Sequence, residues 1–113
     1  MPVEITLDKP RTLKFDLLSL GELEDKCEKP MVSLYIDMQR RGVNALVYGL
    51  WAGLRHEDAA ITPNLARRIL QDYMTRGDNI QIVVDALDRA MKETGIFGKE
   101  DDAGNAQPEP TAS

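Results

Sequence analysis

His56, Glu57 and Asp58 stand side by side, and an imidazole next to carboxylates is the residue set of a general base or a metal site. Consecutive side chains leave the backbone in different directions, however, and the chain holds no second His and only one Cys to complete a ligand set. The favoured reading is a histidine at a helix end, where the negative pole of the dipole suits it. Cys27 has no disulfide partner and belongs to no motif that lowers a thiol pKa, so it reads as a structural thiol in a reduced, cytosolic protein. The glycines fall singly and not in a phosphate-cradling loop, and Lys99 to Asp102 is too short for a calcium loop. Arg67 and Arg68 could arm the recognition helix of a small DNA-binding regulator, but the acidic balance favours a solvated polar face. No catalytic residue, cofactor or metal is expected, and the chain does not read as an enzyme.

These residues sit in 113 positions, 42% hydrophobic and 29% charged, with a formal net charge of -5. That length suits one domain with a small core and excludes a doubly wound sheet or a (β/α) barrel. The negative charge argues against a generic nucleic-acid or anionic-membrane binder. Glu4 and Asp8 fall where a signal peptide would need a basic start and an apolar run. The longest weakly polar stretch, Val43 to Leu54, is too short to span a membrane.

Val3, Ile5 and Leu7 alternate with polar residues, as do Leu13 and Phe15, and Asp8-Lys9-Pro10-Arg11 between them has turn chemistry. The pattern predicts an N-terminal β-hairpin with one face covered by helices, since two strands are marginal alone. Asp16 is a good N-cap for a helix from Leu17 to Lys26, with Leu17, Leu20, Leu23 and Cys27 inward and Pro30 beyond its end. Met31, Leu34, Tyr35 and Met38 recur at helical spacing up to Gly42, although Val32, Tyr35 and Ile36 would also suit a strand.

Val43, Leu46, Val47, Leu50, Trp51 and Leu54 then form a long apolar stripe, while Ala45, Gly49 and Gly53 recur every four residues on another face. Two interior glycines each cost a helix about 1 kcal/mol relative to Ala, so something must approach that small-residue ridge closely. The neighbour is either another element of the chain or another subunit. This helix is expected at the centre of the fold. Thr62-Pro63 caps a further helix with Leu65, Ala66, Ile69, Leu70, Tyr73 and Met74 on one side. Asp78 or Asn79 caps the last, with Ile80, Val83, Val84, Leu87 and Met91 inward and Gly95 as the stop. The fold class is therefore α+β, mainly α: a hairpin on four to five helices over residues 1–97. Residues 98–113 contain no aromatic and no branched aliphatic side chain and carry a net charge of -3, so an acidic, disordered tail is expected there.

The segments ITLDKPRTLKFDLLSLGELEDK and LVYGLWAGLRHED resemble the tail assembly chaperones of long-tailed bacteriophages and gene transfer agents. In that family a hairpin closes on a helix start like Lys14-Phe15-Asp16-Leu17. A Leu-Trp-Ala-Gly-Leu helix follows, here Leu50 to Leu54, running into His56-Glu57-Asp58, and a cap like Ile61-Thr62-Pro63 opens the next helix. The likeness covers residues 3 to 95 in order, and the longer stretch Lys29 to Asn44 departs from the pattern. It implies a non-enzymatic protein that binds a tape measure protein and keeps it soluble while tail tube protein assembles around it. The implied protein acts in the host cytoplasm as a homo-oligomer, a ring or spiral, and is absent from the mature virion. Ala45, Tyr48, Gly49, Trp51, Gly53 and Leu54 are then the candidates for partner binding or self-association. Met31, Met38, Met74 and Met91 are adaptable apolar groups that suit a core first and a client second. A head-to-tail completion protein is a further reading within virion morphogenesis.

Overall fold

Strand β1 (Val3–Thr6) and strand β2 (Pro10–Leu13) form an antiparallel hairpin in the register Val3↔Leu13, Glu4↔Thr12, Ile5↔Arg11 and Thr6↔Pro10. The computed structural model describes residues 2–98, and the expected acidic tail beyond Gly98 lies outside them. The predicted turn is tighter than Asp8 to Arg11, because Pro10 and Arg11 already belong to the second strand. Pro10 is tolerated as the first residue of a strand, where a missing N–H breaks little of the ladder. Val3, Ile5, Leu7, Leu13 and Phe15 are buried on the covered side.

Helix α1 (Leu17–Cys27) begins with a reciprocal cap: Ser19 N–H donates to Asp16 at 2.9 Å, and Asp16 N–H donates to the Ser19 hydroxyl at 2.9 Å. Leu20 and Leu23 are buried and Cys27 is half-buried, but Leu17 faces solvent at 72% exposure, outside the expected stripe. The stretch that could have been strand is helix α2 (Met31–Gln39), with Met31, Leu34 and Met38 buried. Helix α3 (Val43–Leu54) touches β2 and all four other helices, the central position expected of it. Helix α4 (Pro63–Thr75) starts at the Thr62 cap, whose hydroxyl accepts from Leu65 N–H at 3.1 Å. Asn79, not Asp78, caps helix α5 (Ile80–Lys92). The fold is thus mainly helical with an N-terminal hairpin, and its buried apolar residues form one contiguous cluster. No helix among the described residues is long and apolar enough to cross a membrane.

Candidate functional site

The triplet that most resembled chemistry follows the C-terminal end of α3 and reaches back to the hairpin. His56 Nε2 lies 2.9 Å from the Thr12 carbonyl oxygen, and Glu57 Oε1 accepts from Thr12 N–H at 3.1 Å and from its hydroxyl. Lys14 N–H donates to the Gly53 carbonyl at 3.0 Å. The outer edge of β2 is therefore tied to the end of α3, which is how an exposed strand edge is closed against stray pairing. Beneath it Arg11 is only 6% exposed and forms a two-pronged pair with Asp8 at 2.7 and 2.8 Å. Asp58 and Glu57 add carboxylates 3.9 and 4.0 Å from Arg11 Nη1. The bond from Arg11 holds the Asp8 carboxyl below the usual range. Burial pushes Glu57 upward, but the two bonds from Thr12 outweigh it and leave this carboxyl below its ordinary value as well. Each polar group in the cluster has a partner within the fold, and the cluster works as a latch. Among the described residues no group of three or more His, Cys, Asp and Glu could hold a metal ion. Burial pushes the Cys27 thiol up, away from the thiolate that a nucleophile needs.

The small-residue ridge lies inside the molecule, which corrects its place among the candidate surface residues. A Cβ on Gly49 would stand 2.7 Å from Met38 Cε, and one on Gly53 would stand 3.0 Å from both Leu13 Cδ2 and Phe15 Cζ. Ala45 and Leu54 are buried too. The neighbour that approaches the glycines is the chain's own hairpin and α2, and no subunit can reach these positions in the folded monomer. Trp51 is 9% exposed, with Lys26 and Arg55 over its ring at 5.4 and 5.1 Å. Tyr48 alone of the six is half-open, on a recess it shares with Cys27, Asp37 and Val43.

A more apolar opening lies at the other end of α3. A groove of about 230 Å³ runs between α3, α4 and the start of α5. Leu46, Val47 and Leu70 form its buried floor, and Val43, Met74 and Ile80 stand around it, with Val43 64% and Met74 49% exposed. Two guanidinium groups border it. Arg67 donates to Asn44 Oδ1 at 3.3 Å, and Arg41 donates to Gln81 Oε1. No carboxylate lines the groove, and among the described residues neither arginine makes an ion pair. Val43 and Ile80 are read in the sequence as core, Met74 as core first and client contact second, and Arg41 as polar surface, so the sequence reasoning does not bring these residues together into one site. One signal was present for Met74. At 100° per residue the stripe from Leu65 to Met74 spans about 180°, wider than one packed face. Its two outermost members, Leu65 and Met74, are the ones left exposed.

No family model, no curated protein and no solved structure matches this chain. The likeness to tail assembly chaperones stands on the sequence motifs alone.

Proposed function

We propose that the chain is a non-enzymatic tail assembly chaperone that binds a tape measure protein in the host cytoplasm and keeps its long apolar helices soluble during tail tube assembly. The observation that supports this is the apolar groove between α3, α4 and α5, a concave surface lined mostly by apolar side chains, the composition that receives side chains from one face of an amphipathic helix. The exposed apolar side chains Leu17 and Leu18 on α1, Val32 and Ile36 on α2, and Ile82 on α5 provide additional contact for a long client. Assembly into a homo-oligomer, and contact with tail tube protein, belong to the same reading, but any subunit contact must use surface other than the buried Ala45, Gly49 and Gly53. The protein is expected to be absent from finished particles, unlike a head-to-tail completion protein.

Co-expression tests the reading. The neighbouring genes should include a very long, helix-rich tape measure gene, and its product should be insoluble alone and soluble, in complex, when made with this chain. A neighbourhood without such a gene, or a tape measure protein equally insoluble with and without the chain, would sink the proposal. Salt-dependent binding of the purified protein to duplex DNA would instead support a regulator acting through Arg67 and Arg68.

A further inference from the structure

We propose that the groove between α3, α4 and the start of α5 selects helical segments whose apolar face is flanked by carboxylates, with Arg41 and Arg67 as the specificity-determining residues. The inference rests on the reading of the chain as a helix-binding protein and adds the charge pattern of the segment bound.

Both arginines border apolar side chains, so an entering helix would meet hydrophobic contact first and guanidinium groups at its margins. Each guanidinium is held by a neutral side-chain amide, Asn44 for Arg67 and Gln81 for Arg41, and Gln81 in turn donates to Asp85 at 2.9 Å. The amides position the two cations without neutralising them. Arg11, Arg55 and Arg76 each face a carboxylate within ion-pair distance; among the described residues Arg40, Arg68 and Arg89 make no ion pair either, but only Arg41 and Arg67 border the groove. Planar guanidinium groups match carboxylates two-pronged, and a lysine-flanked helix would bring like charges together at the same margins.

Arg41 adds a second sign. It ends α2 in the left-handed backbone region, φ 62°, where glycine is the favoured residue. Arg41→Gly should therefore leave the fold at least as stable while removing one of the two cations. Duplex DNA is the poorer occupant, because an apolar floor offers nothing to a phosphate backbone and residues 1–97 carry a net charge of -2. The acidic tail is a poor occupant as well, since residues 98–113 hold no aromatic or branched aliphatic side chain to fill the floor.

The test uses the full chain and two designed amphipathic peptides with the same Leu face at i, i+3, i+4 and i+7, one flanked by Glu and the other by Lys. The Glu peptide should bind at least about fivefold more tightly at low salt, a preference that fades as salt rises. Methyl resonances of Met74 and Val43 should shift on binding, while that of Leu18 should not. Arg41→Gly with Arg67→Gln should abolish the preference and leave weak binding of both peptides. Equal binding of the two peptides at the groove would overturn the charge selection and leave the helix-binding reading standing. Binding of neither would overturn both, whereas binding that shifts Leu18 and spares Met74 would overturn the role of the groove and its arginines and leave helix binding to the exposed face of α1. Displacement of the Glu peptide by duplex DNA would assign the arginines to phosphate instead and would also overturn the proposal.

Discussion

The two ends of α3 are finished in opposite ways. At the C-terminal end Gly53 is filled by Leu13 and Phe15, its carbonyl accepts from Lys14, and His56 and Glu57 bind the free edge of β2. At the N-terminal end Gly42 offers no side-chain cap, Val43 projects into solvent, and an apolar groove opens beside it, bordered by two arginines that make no ion pair among the described residues. Residues whose types suggest chemistry are consumed by the closed end. The groove at the open end is lined by valine, leucine, isoleucine, methionine, glutamine and arginine, whose types suggest nothing in particular.

The contrast predicts a wide gap between two truncations on the same helix. Leu54, fully buried at the closed end, should cost about 2–5 kcal/mol when changed to Ala, because a cavity is left among side chains that relax only in part. Val43→Ser at the open end should change stability by no more than about 0.5 kcal/mol, as expected of an exposed site, while weakening any ligand of the groove. Urea unfolding of both variants measures the gap. Comparable losses would mean that the two ends are packed alike.

Most of the fold was legible because it depends on local signals. Thr62-Pro63 and Asp16 announce helix starts through side-chain caps, and alternation in Val3, Ile5 and Leu7 announces a half-covered strand. The centrality of α3 was legible too, since a helix apolar on one face and small on the other must be approached from both. What could not be read was which neighbour fills the glycine ridge, because a Cβ-free surface accepts a hairpin and a subunit equally well. The groove was hidden for a related reason. Periodicity marks Met74 and Ile80 as inward, yet whether an edge residue of a stripe is covered depends on the distance to the next helix, a tertiary quantity. Arg41 carried no signal, since an arginine after a helix is ordinary until its amide partner on α5 is known.

Glycine substitutions sharpen the comparison within the ridge itself. Gly→Ala in a helix brings about 1 kcal/mol of favourable propensity, opposed by whatever the new methyl strikes. At Gly53 that is Leu13 and the Phe15 ring, flanking Lys14, whose N–H is tied to Gly53, so neither can withdraw easily. Gly53→Ala should be net destabilising by about 1 kcal/mol, the overpacking penalty exceeding the gain. At Gly49 the close atom is the terminal methyl of Met38, a flexible group, and Gly49→Ala should lie within about 0.5 kcal/mol of the parent. The reverse order would show that the hairpin yields more readily than α2.

The smallest expected effect tests the latch and has a definite sign. Asp8 and Glu57 both titrate below their ordinary values in the folded protein, so the unfolded chain binds their protons more readily. Their contribution is complete above the normal carboxylate range and is lost as pH falls through it, below about pH 4. The urea midpoint should therefore drop between pH 6 and pH 3, and Asp8→Asn with Glu57→Gln should flatten that drop. Some slope should survive in the double variant, because Asp16, held down by the Ser19 amide and hydroxyl at the start of α1, shifts in the same direction. Thr12→Val separates the two halves of the latch: it deletes the hydroxyl bond to Glu57 and the 3.3 Å hydroxyl contact with His56 Nε2 and keeps the backbone bonds to both residues, at a cost of about 1 kcal/mol or less. An unchanged acid profile in the Asp8/Glu57 variant would mean that the closed end of α3 is held by the packing of Leu13 and Phe15 on Gly53, with the polar groups only shielding the strand edge.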